Sequence, residues 1–382
     1  MNISKFEKCA NCGACVNLCP QKAITVKEDG LFYQLSVNNE LCTDCGLCAK
    51  RCPANLPIAA AKPLQAFYSV HKDKSVVRKS SSGGFFSAAA EHVISRGGVV
   101  FGAAYSTGCH KVVFSSTDET ELDALRKSKY AESLTGDVFI RIKDCLDNGR
   151  MVLFCGTPCQ VAGLKSFLNR EDELLLTCDF ICGGLPSHKI YNDYLSALEK
   201  KYRSKVRSVD FRPKTFGWRE YAVKITFDNG KEYLKQAELD PYFSAFLRRR
   251  RTVRDLCVNC PFATSHTADF TLSDFWRYRS VTGDQDSDEG ISLIFVNTQK
   301  GVETAAQLNA LTDMHDIPLE KVEYALKPHG VAENYQHERE SFLREYEEHG
   351  IMEAGSKLSV SKGKAALKAR LRGIQRKQRG VD

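Results

Sequence analysis

The sequence predicts two folded units in series: a small cysteine-rich α+β module over residues 1–62 and a larger α/β domain over residues 63–340. A basic tail, helical or disordered, follows over residues 341–382. Three observations carry this reading. Eight cysteines fall in two copies of one spacing at the start of the chain. Beyond them, apolar strand-like runs alternate with helical stretches, the pattern of an α/β core. The positive charge collects at the end. Residues 357–382 hold nine Lys or Arg opposed by Asp382, while the net charge of the whole chain is +7. The body before the tail is therefore close to neutral.

The first observation fixes a chemistry. Cys9, Cys12, Cys15 and Cys19 precede Pro20, and Cys42, Cys45, Cys48 and Cys52 precede Pro53. Both runs read C-x2-C-x2-C-x3-C-P, a ligand spacing for [4Fe–4S] clusters in which the fourth cysteine serves the other cluster. Three cysteines two residues apart wrap one face of a cubane, and the curled loop turns its N–H groups toward the sulfurs. Gly13 and Gly46 allow that tight turn. The expected ligand sets are Cys9, Cys12, Cys15 and Cys52, and Cys42, Cys45, Cys48 and Cys19. A zinc module would favour paired C-x2-C units. A disulfide framework would need a secretory context, and the first motif begins too early for a signal peptide to be expected. The segment resembles the bacterial-type two-cluster ferredoxin domain over about residues 1–60.

Composition sets outer limits. A chain of 382 residues suggests two or three domains, and 43% hydrophobic residues suffice for a sizeable core. No uncharged apolar run approaches the roughly 18 residues of a membrane span. Sixteen cysteines without a secretory signal imply a reducing, cytoplasmic setting.

The elements follow in order. Residues 24–26 and 31–37 flank Lys27, Glu28, Asp29 and Gly30 and read as a hairpin. From residue 64 the pattern changes. Residues 66–70 form a strand and 85–95 an apolar helix stopped by Gly97 and Gly98. Residues 99–105 form a buried strand, and 134–147 a helix ending before Gly149. Residues 151–155 form a strand that turns through Gly156, Thr157 and Pro158 into a helix reaching about Leu168. Residues 174–181 are another strand. Residues 221–227 and 231–235 flank Asp228, Asn229 and Gly230, a hairpin signal. Residues 270–272 and 291–296 are later strands, and the last forty residues turn polar, charged and helical.

No G-x-G-x-x-G follows a strand, so the usual dinucleotide fingerprint is absent. Ser80, Ser81, Ser82, Gly83 and Gly84 precede the helix at Phe85. Such a run reads either as an anion cradle at a helix N-terminus or as a plain cap and loop. A second set of eight cysteines is irregular. Cys159 and Cys182 lie just beyond two strands at one sheet edge, and Cys257-x2-Cys260 is a half-site. Converging thiolates there suit a third cluster; Cys109, Cys145, Cys155 and Cys178 read as buried structural cysteines.

Residues of about 64–330 resemble the coenzyme F-420 hydrogenase/dehydrogenase beta-subunit family. The stretches that carry this are SSSGGFF at 80–86, SKY at 128–130, VLFCGTPCQVAGL at 152–164, DFICGGLPS at 179–187, FRPKTFGW at 211–218, CVNCPF at 257–262, ADFTLSDFW at 268–276 and GISLIFVNT at 290–298. The resemblance implies a non-Rossmann α/β flavin-binding domain carrying FAD, with a [4Fe–4S] cluster on Cys159, Cys182, Cys257 and Cys260. It implies flavin contacts from Ser81, Ser82, Gly83, Gly84, Ser128, Lys129, Tyr130, Thr157, Pro158 and Gln160. Lys129 is the candidate catalytic residue, suited to stabilising an anionic reduced flavin; taken alone it also reads as a surface lysine. The chain departs from the family where Gly183-Gly184 stands for His-Gly, and where Ser273 and Arg277 replace glycines. Those departures leave the substrate open.

Other charged features have two readings each. Arg248, Arg249, Arg250, Arg251 and Arg254 suit a phosphate or carboxylate, or a solvated face. Trp218 and Phe216 beside Arg212 and Lys214 suit a pocket wall or the core. Asp284, Asp286, Asp288 and Glu289 read as an exposed acidic loop, without the glycine and terminal glutamate of a calcium loop. In the tail, Leu367, Leu371 and Ile374 make a narrow apolar stripe among basic residues, which suits peripheral contact with the inner membrane surface or with an acidic partner. No stacking aromatics accompany it, so no specific nucleic-acid contact is expected. The expected function is an oxidoreductase of anaerobic metabolism passing electrons between ferredoxin, or another redox protein, and an organic acceptor, a small molecule or glycan-related compound. The alternative is an electron-relaying subunit of a larger complex.

Overall fold

The computed structural model describes residues 9–56, 62–119, 122–248, 250–327 and 333–359. The N-terminal module consists of α1 (Ala14–Leu18), β1 (Ile24–Lys27), β2 (Gln34–Val37) and α2 (Leu47–Lys50). Gly13 and Gly46 cap the two helices at φ 83° and 71°, the left-handed region that glycine enters at no steric cost. The hairpin pairs Ile24 with Val37 through Lys27 with Gln34. Its second strand starts three residues later than the apolar pattern suggests. Tyr33 N–H is spent on the Glu132 side chain, and the Leu31 carbonyl accepts the Ser187 hydroxyl, so residues 31–33 bind the body of the protein.

The body is built on β3 (Gln65–His71), β4 (Val99–Tyr105), β5 (Val112–Thr117), β6 (Ser133–Leu134), β7 (Val152–Cys155), β8 (Leu175–Phe180), β9 (Val206–Asp210), β10 (Ala222–Phe227), β11 (Glu232–Gln236), β12 (Phe270–Asp274), β13 (Ser292–Val296) and β14 (Thr312–Asp316). Nine of these strands form one mixed sheet, ordered β14-β3-β13-β12-β8-β7-β4-β5-β6. Its centre, β12-β8-β7-β4, is parallel, with Cys155 opposite Cys178. Central parallel strands are covered on both faces, which is why β4 and β7 read as unbroken apolar runs. After β3, the short helix α3 (Lys74–Lys79) is capped by Asp73, whose side chain accepts from Ser75 N at 2.7 Å, and it leads into the Ser80–Gly84 run.

Alternation then assigns each side chain to a face. Val100, Leu153, Leu176 and Cys178 pack with α4 (Phe85–Ile94) and, further along the chain, Ala305 and Leu308. Val99, Phe101, Val152, Phe154 and Leu175 pack with α5 (Val138–Asp147) and α6 (Pro158–Leu168), together with Ala10, Cys12 and Ala14 of the N-terminal module. The module is therefore seated on the body through a shared core. At the joint, a Cβ added to Gly163 would lie 3.1 Å from both Cβ and Sγ of Cys12, and Asn17 Nδ2 donates to the Gly136 carbonyl at 2.9 Å.

A second sheet, β11-β10-β9, carries the hairpin expected around Gly230 and packs with α7 (His188–Tyr202) and α8 (Tyr335–Leu358). The last helix crosses the boundary expected at residues 340–341. Phe342, Tyr346, Ile351 and Ala354 are buried in this cluster, so the body continues to the end of α8. The helix expected from residue 134 begins at Val138. Gly136 turns through φ 56°, and Ser133–Leu134 pairs with β5 instead. The tail from residue 360, with its apolar stripe, lies outside the described residues, as does Arg249.

Candidate functional site

The N-terminal thiols gather into two groups. Cys9, Cys12, Cys15 and Cys52 line one pocket of about 440 Å³. Cys19, Cys42, Cys45 and Cys48 line the other, of about 420 Å³. The fourth cysteine of each run thus sits with the first three of the other. Backbone N–H groups point at sulfur: Asn11 N lies 3.3 Å from Cys9 Sγ and Ala23 N 3.4 Å from Cys19 Sγ. Burial pushes the Cys12 thiol up to about 12, and the nearness of Cys9 and Cys52 adds to the rise. Cys15 is pushed higher still by burial, and after it by Cys12, Cys9, Cys52 and Cys48. Thiols crowded this way cannot all ionise unless positive charge sits among them, the donor chemistry of a thiolate-held iron cluster. The Cys15–Cys48 proximity also places the two pockets side by side.

A third group forms at the carboxyl edge of the parallel strands, where α/β sheets hold ligands. Thr157 caps α6, with its N–H bonded to Gln160 Oε1 at 3.0 Å, and so sets Cys159 in the first helical turn. Cys182 follows β8. Cys257 ends a short 3-10 turn, Asp255–Cys257, and Cys260 follows it. Gly184 N is 3.4 Å from Cys182 Sγ, and Leu185 N is 3.4 Å from Cys257 Sγ. Burial raises Cys182 to about 12 and Cys257 to about 11, and each is raised further by its neighbours in the group. Cys159 is raised by burial first, then by Cys182, Cys12 and Cys257. Its Sγ also lies 3.8 Å from the Ala10 carbonyl, so the third group adjoins the pocket of Cys9, Cys12, Cys15 and Cys52. Gly184 is required here: it adopts φ 109°, and a Cβ would lie 3.1 Å from Cys257 Cβ. Of the remaining cysteines, Cys109 and Cys178 are buried, whereas Cys145 and Cys155 keep some exposure.

Beside the third thiol group, reached through Tyr130, which packs with the Cys257 cluster and meets Arg212, lies a set of buried cations, the cationic recess. Lys129 Nζ donates to the Arg126 carbonyl. Burial lowers Lys129 to about 7, while Cys155 and Asp210 oppose the fall. Lys214 is also lowered to about 7, by burial and then by Arg212 and Lys127. Arg212 is buried, pairs with Asp274 at 3.0 Å and reaches Tyr130 Oη at 3.4 Å. Lys127 pairs with Asp210. Lys127, Lys129, Arg212 and Lys214 therefore share this field with Asp210, Asp274 and Glu289, and the cations exceed the carboxylates by one charge only when both Lys129 and Lys214 are protonated. Ser81 and Ser128 meet here, hydroxyl to hydroxyl at 3.3 Å, and Ser128 N donates to Ser81 Oγ at 3.1 Å.

Several sequence expectations need correction. The Ser80–Gly84 run is tied into the protein at several points, beginning with Ser80 N, which donates to the Val77 carbonyl at 3.1 Å. Ser82 Oγ donates to the Ile291 carbonyl at 2.7 Å, and Gly83 N donates to Ser292 Oγ at 3.0 Å, because Gly83 packs against the edges of β3 and β13. Gly84 serves as the left-handed cap of α4. Thr157, Pro158 and Gln160 form the start of α6, and Gln160 Nε2 donates to Ser133 Oγ at 2.9 Å. Of the arginine run, Arg250, Arg251 and Arg254 are engaged within the protein. Arg250 bonds the Gly183 and Cys257 carbonyls, Arg251 pairs with Glu338, and Arg254 pairs with Glu132. Trp218 is core, stacked 4.6 Å from Trp276 and bonded to Asp274. The acidic loop is not simply exposed: Asp286 is buried between Arg219 and Arg279, which hold its carboxyl below the usual range against the opposing effect of burial. Sequence reasoning missed Glu132, Asn11, Lys127, Asp210 and the pairing of Arg212 with Asp274. No local motif flags them, although Asn11 stands inside the first cysteine run.

These features define an iron–sulfur electron-transfer protein. Residues 8–56 match the 4Fe-4S dicluster domain. Residues 149–321 match the family described as the C terminus of the coenzyme F420 hydrogenase/dehydrogenase beta subunit. Among solved structures, a chain of the xenon-derivatised F420-reducing [NiFe] hydrogenase complex from Methanosarcina barkeri is similar at 16% identity and a TM-score of 0.47, over 78% of this chain and 96% of that chain. No curated protein matched the chain.

Proposed function

We propose that the chain is a cytoplasmic flavin- and iron–sulfur-dependent oxidoreductase that moves electrons between ferredoxin, or another one-electron carrier, and an organic two-electron acceptor. The observation that carries this reading is the line of three thiol groups. Cys19, Cys42, Cys45 and Cys48 adjoin Cys9, Cys12, Cys15 and Cys52 through Cys48 and Cys15, and these adjoin Cys159, Cys182, Cys257 and Cys260 through Cys12 and Cys159. Cys45 is exposed, which puts the partner's approach at the far end. The recess of Lys129, Lys214 and Arg212 lies at the other end.

The residues of that recess fit a phosphate-bearing anion such as FAD. With Lys129 and Lys214 protonated, their charge and that of Lys127 and Arg212 exceeds the facing carboxylates by one, and a bound anion would favour that protonated state. Bound there, FAD would supply the exchange between one-electron and two-electron chemistry. Lys129 and Lys214 would hold its anionic part when protonated, Arg212 would fix their field through Asp274, and the hydroxyls of Ser81 and Ser128 would donate to it.

A second reading is supported by the family's description as a hydrogenase/dehydrogenase subunit: the chain relays electrons inside a larger complex and has no organic substrate of its own. Among the described residues no helix is long and apolar enough to cross a membrane. Under either reading, peripheral contact with the membrane or an acidic partner falls to the basic tail.

The test is reoxidation. Anaerobically purified chain, reconstituted with FAD and reduced, is mixed with a panel of organic acceptors and followed by flavin absorbance. Turnover by the isolated chain supports the enzyme reading. Retention of FAD with reoxidation by protein carriers alone supports the relay. Failure to retain FAD contradicts the flavin assignment.

A further inference from the structure

The joint between the N-terminal module and the body contains a fully buried carboxylate, Glu132, whose side chain is 0% exposed. Oε1 accepts from Asn11 Nδ2 at 3.0 Å and from Arg254, whose Nε is 3.2 Å away. Oε2 accepts from Tyr33 N at 3.1 Å, and His188 Nδ1 stands 3.6 Å from it. The Tyr33 and His188 rings stack at 3.9 Å and 5°, and Arg254 also donates to the Tyr33 carbonyl.

The positions of these partners give the contact its meaning. Asn11 lies between Cys9 and Cys12, in the loop that carries one thiol group. Arg254 lies three residues before Cys257, in the loop that carries another. One carboxylate therefore ties both loops together. Burying a charge is costly unless it is paired and hydrogen-bonded on all sides. The joint already has an apolar contact of its own, Cys12 against Gly163, so cohesion alone does not call for a buried charge. What the charge adds is direction, since each oxygen fixes a donor from a different segment.

We infer that Glu132 is a positioning residue that sets the separation between the Cys9, Cys12, Cys15, Cys52 group and the Cys159, Cys182, Cys257, Cys260 group, and so the rate at which one electron leaves iron held by the first and reduces iron held by the second. This inference rests on the reading that both groups hold clusters. Electron transfer falls steeply with separation, so a small loosening of the joint has a large kinetic effect.

The test compares full-length Glu132→Gln, Glu132→Asp and Asn11→Ala chains with the parent, all purified anaerobically. Iron content is measured first, then magnetic coupling between the reduced centres by electron paramagnetic resonance, and internal electron transfer after rapid photoreduction. Glu132→Gln should keep its iron, weaken the coupling between the two centres and transfer electrons measurably more slowly than the parent. Glu132→Asp should recover part of the rate, and Asn11→Ala, which leaves the Arg254 pair intact, should show a milder slowing. Unchanged coupling and rate in Glu132→Gln overturns the inference. If Glu132→Gln does not fold, Asn11→Ala decides: an unaltered rate there overturns it. If the parent binds no third cluster, the functional reading fails separately. Hydrogen exchange then judges the joint. Lost protection at the Tyr33 amide in Glu132→Gln keeps Glu132 as the tie between the two loops, and unchanged protection overturns it.

Discussion

The chain builds thiol groups in two different ways. In the N-terminal module each group takes three cysteines from one short loop and a fourth from the other motif, so the loop itself shapes the site. In the body, Cys159, Cys182, Cys257 and Cys260 come from three segments spread over about a hundred residues. Those four meet because β7 and β8 are parallel neighbours, because Gly184 passes close to Cys257, and because Arg254 is anchored on Glu132. The first kind of site is written in sequence spacing; the second exists only in the finished fold. Damage to the fold should therefore spare the first and abolish the second.

The sharpest way to break this comparison is to remove single ligands. Cys52→Ala should empty the pocket of Cys9, Cys12 and Cys15, not the one nearest in sequence; iron analysis and resonance spectra would reveal which centre is lost. Next in size is Asp274→Asn. It strips the buried Arg212 of its ion-pair partner, and breaking such a pair costs about 3–5 kcal/mol. Denaturant unfolding measures the loss, and the recess should suffer while the N-terminal pockets keep their iron.

Glycines sharpen the contrast further. Gly184→Ala meets Cys257 and Val253 as well as an unfavourable φ of 109°, and should cost about 1–3 kcal/mol and disturb the third group. Gly46→Ala, at φ 71° with nothing within 4 Å, should cost about 1 kcal/mol from backbone strain alone. Thermal melts and iron content of both variants make the comparison.

A separate effect concerns pH. Lys129 and Lys214 have folded-state values lowered to about 7 from the ordinary 10.5. The unfolded chain therefore binds more protons above pH 7, and these two groups make stability rise with pH from about 7 toward 10.5. Anion binding runs the other way, because only the protonated lysines attract an anion. Affinity for FAD, followed by fluorescence, should weaken as pH rises through about 7, and Lys129→Met should flatten the profile.

Much of the fold was legible in the sequence. The buried strands β4 and β7 are unbroken apolar runs, and the turn at Gly230 marks its hairpin. Strand β14, Thr-Asp-Met-His-Asp, was not legible, because an edge strand with polar side chains has no period to show. The grouping of the eight N-terminal cysteines was legible because their spacing is local. The recess was legible only in part. Lys129 and Ser81 stood in recognisable stretches, but the field around them depends on Lys127, Asp210, Arg212, Lys214 and Asp274, which come from distant segments. Asp286 illustrates the same limit: in sequence it belongs to an acidic loop, while in the fold it is clamped by two arginines. Glu132 carries no motif at all, and only the seating of the module against the body reveals it.

The central claim, that three thiol groups each hold a cluster, is tested most directly by iron and sulfide analysis of anaerobically purified chain beside its Cys257→Ala variant. The account predicts about twelve irons falling to about eight, four for each cluster. About eight irons in both proteins, with identical spectra, would contradict it.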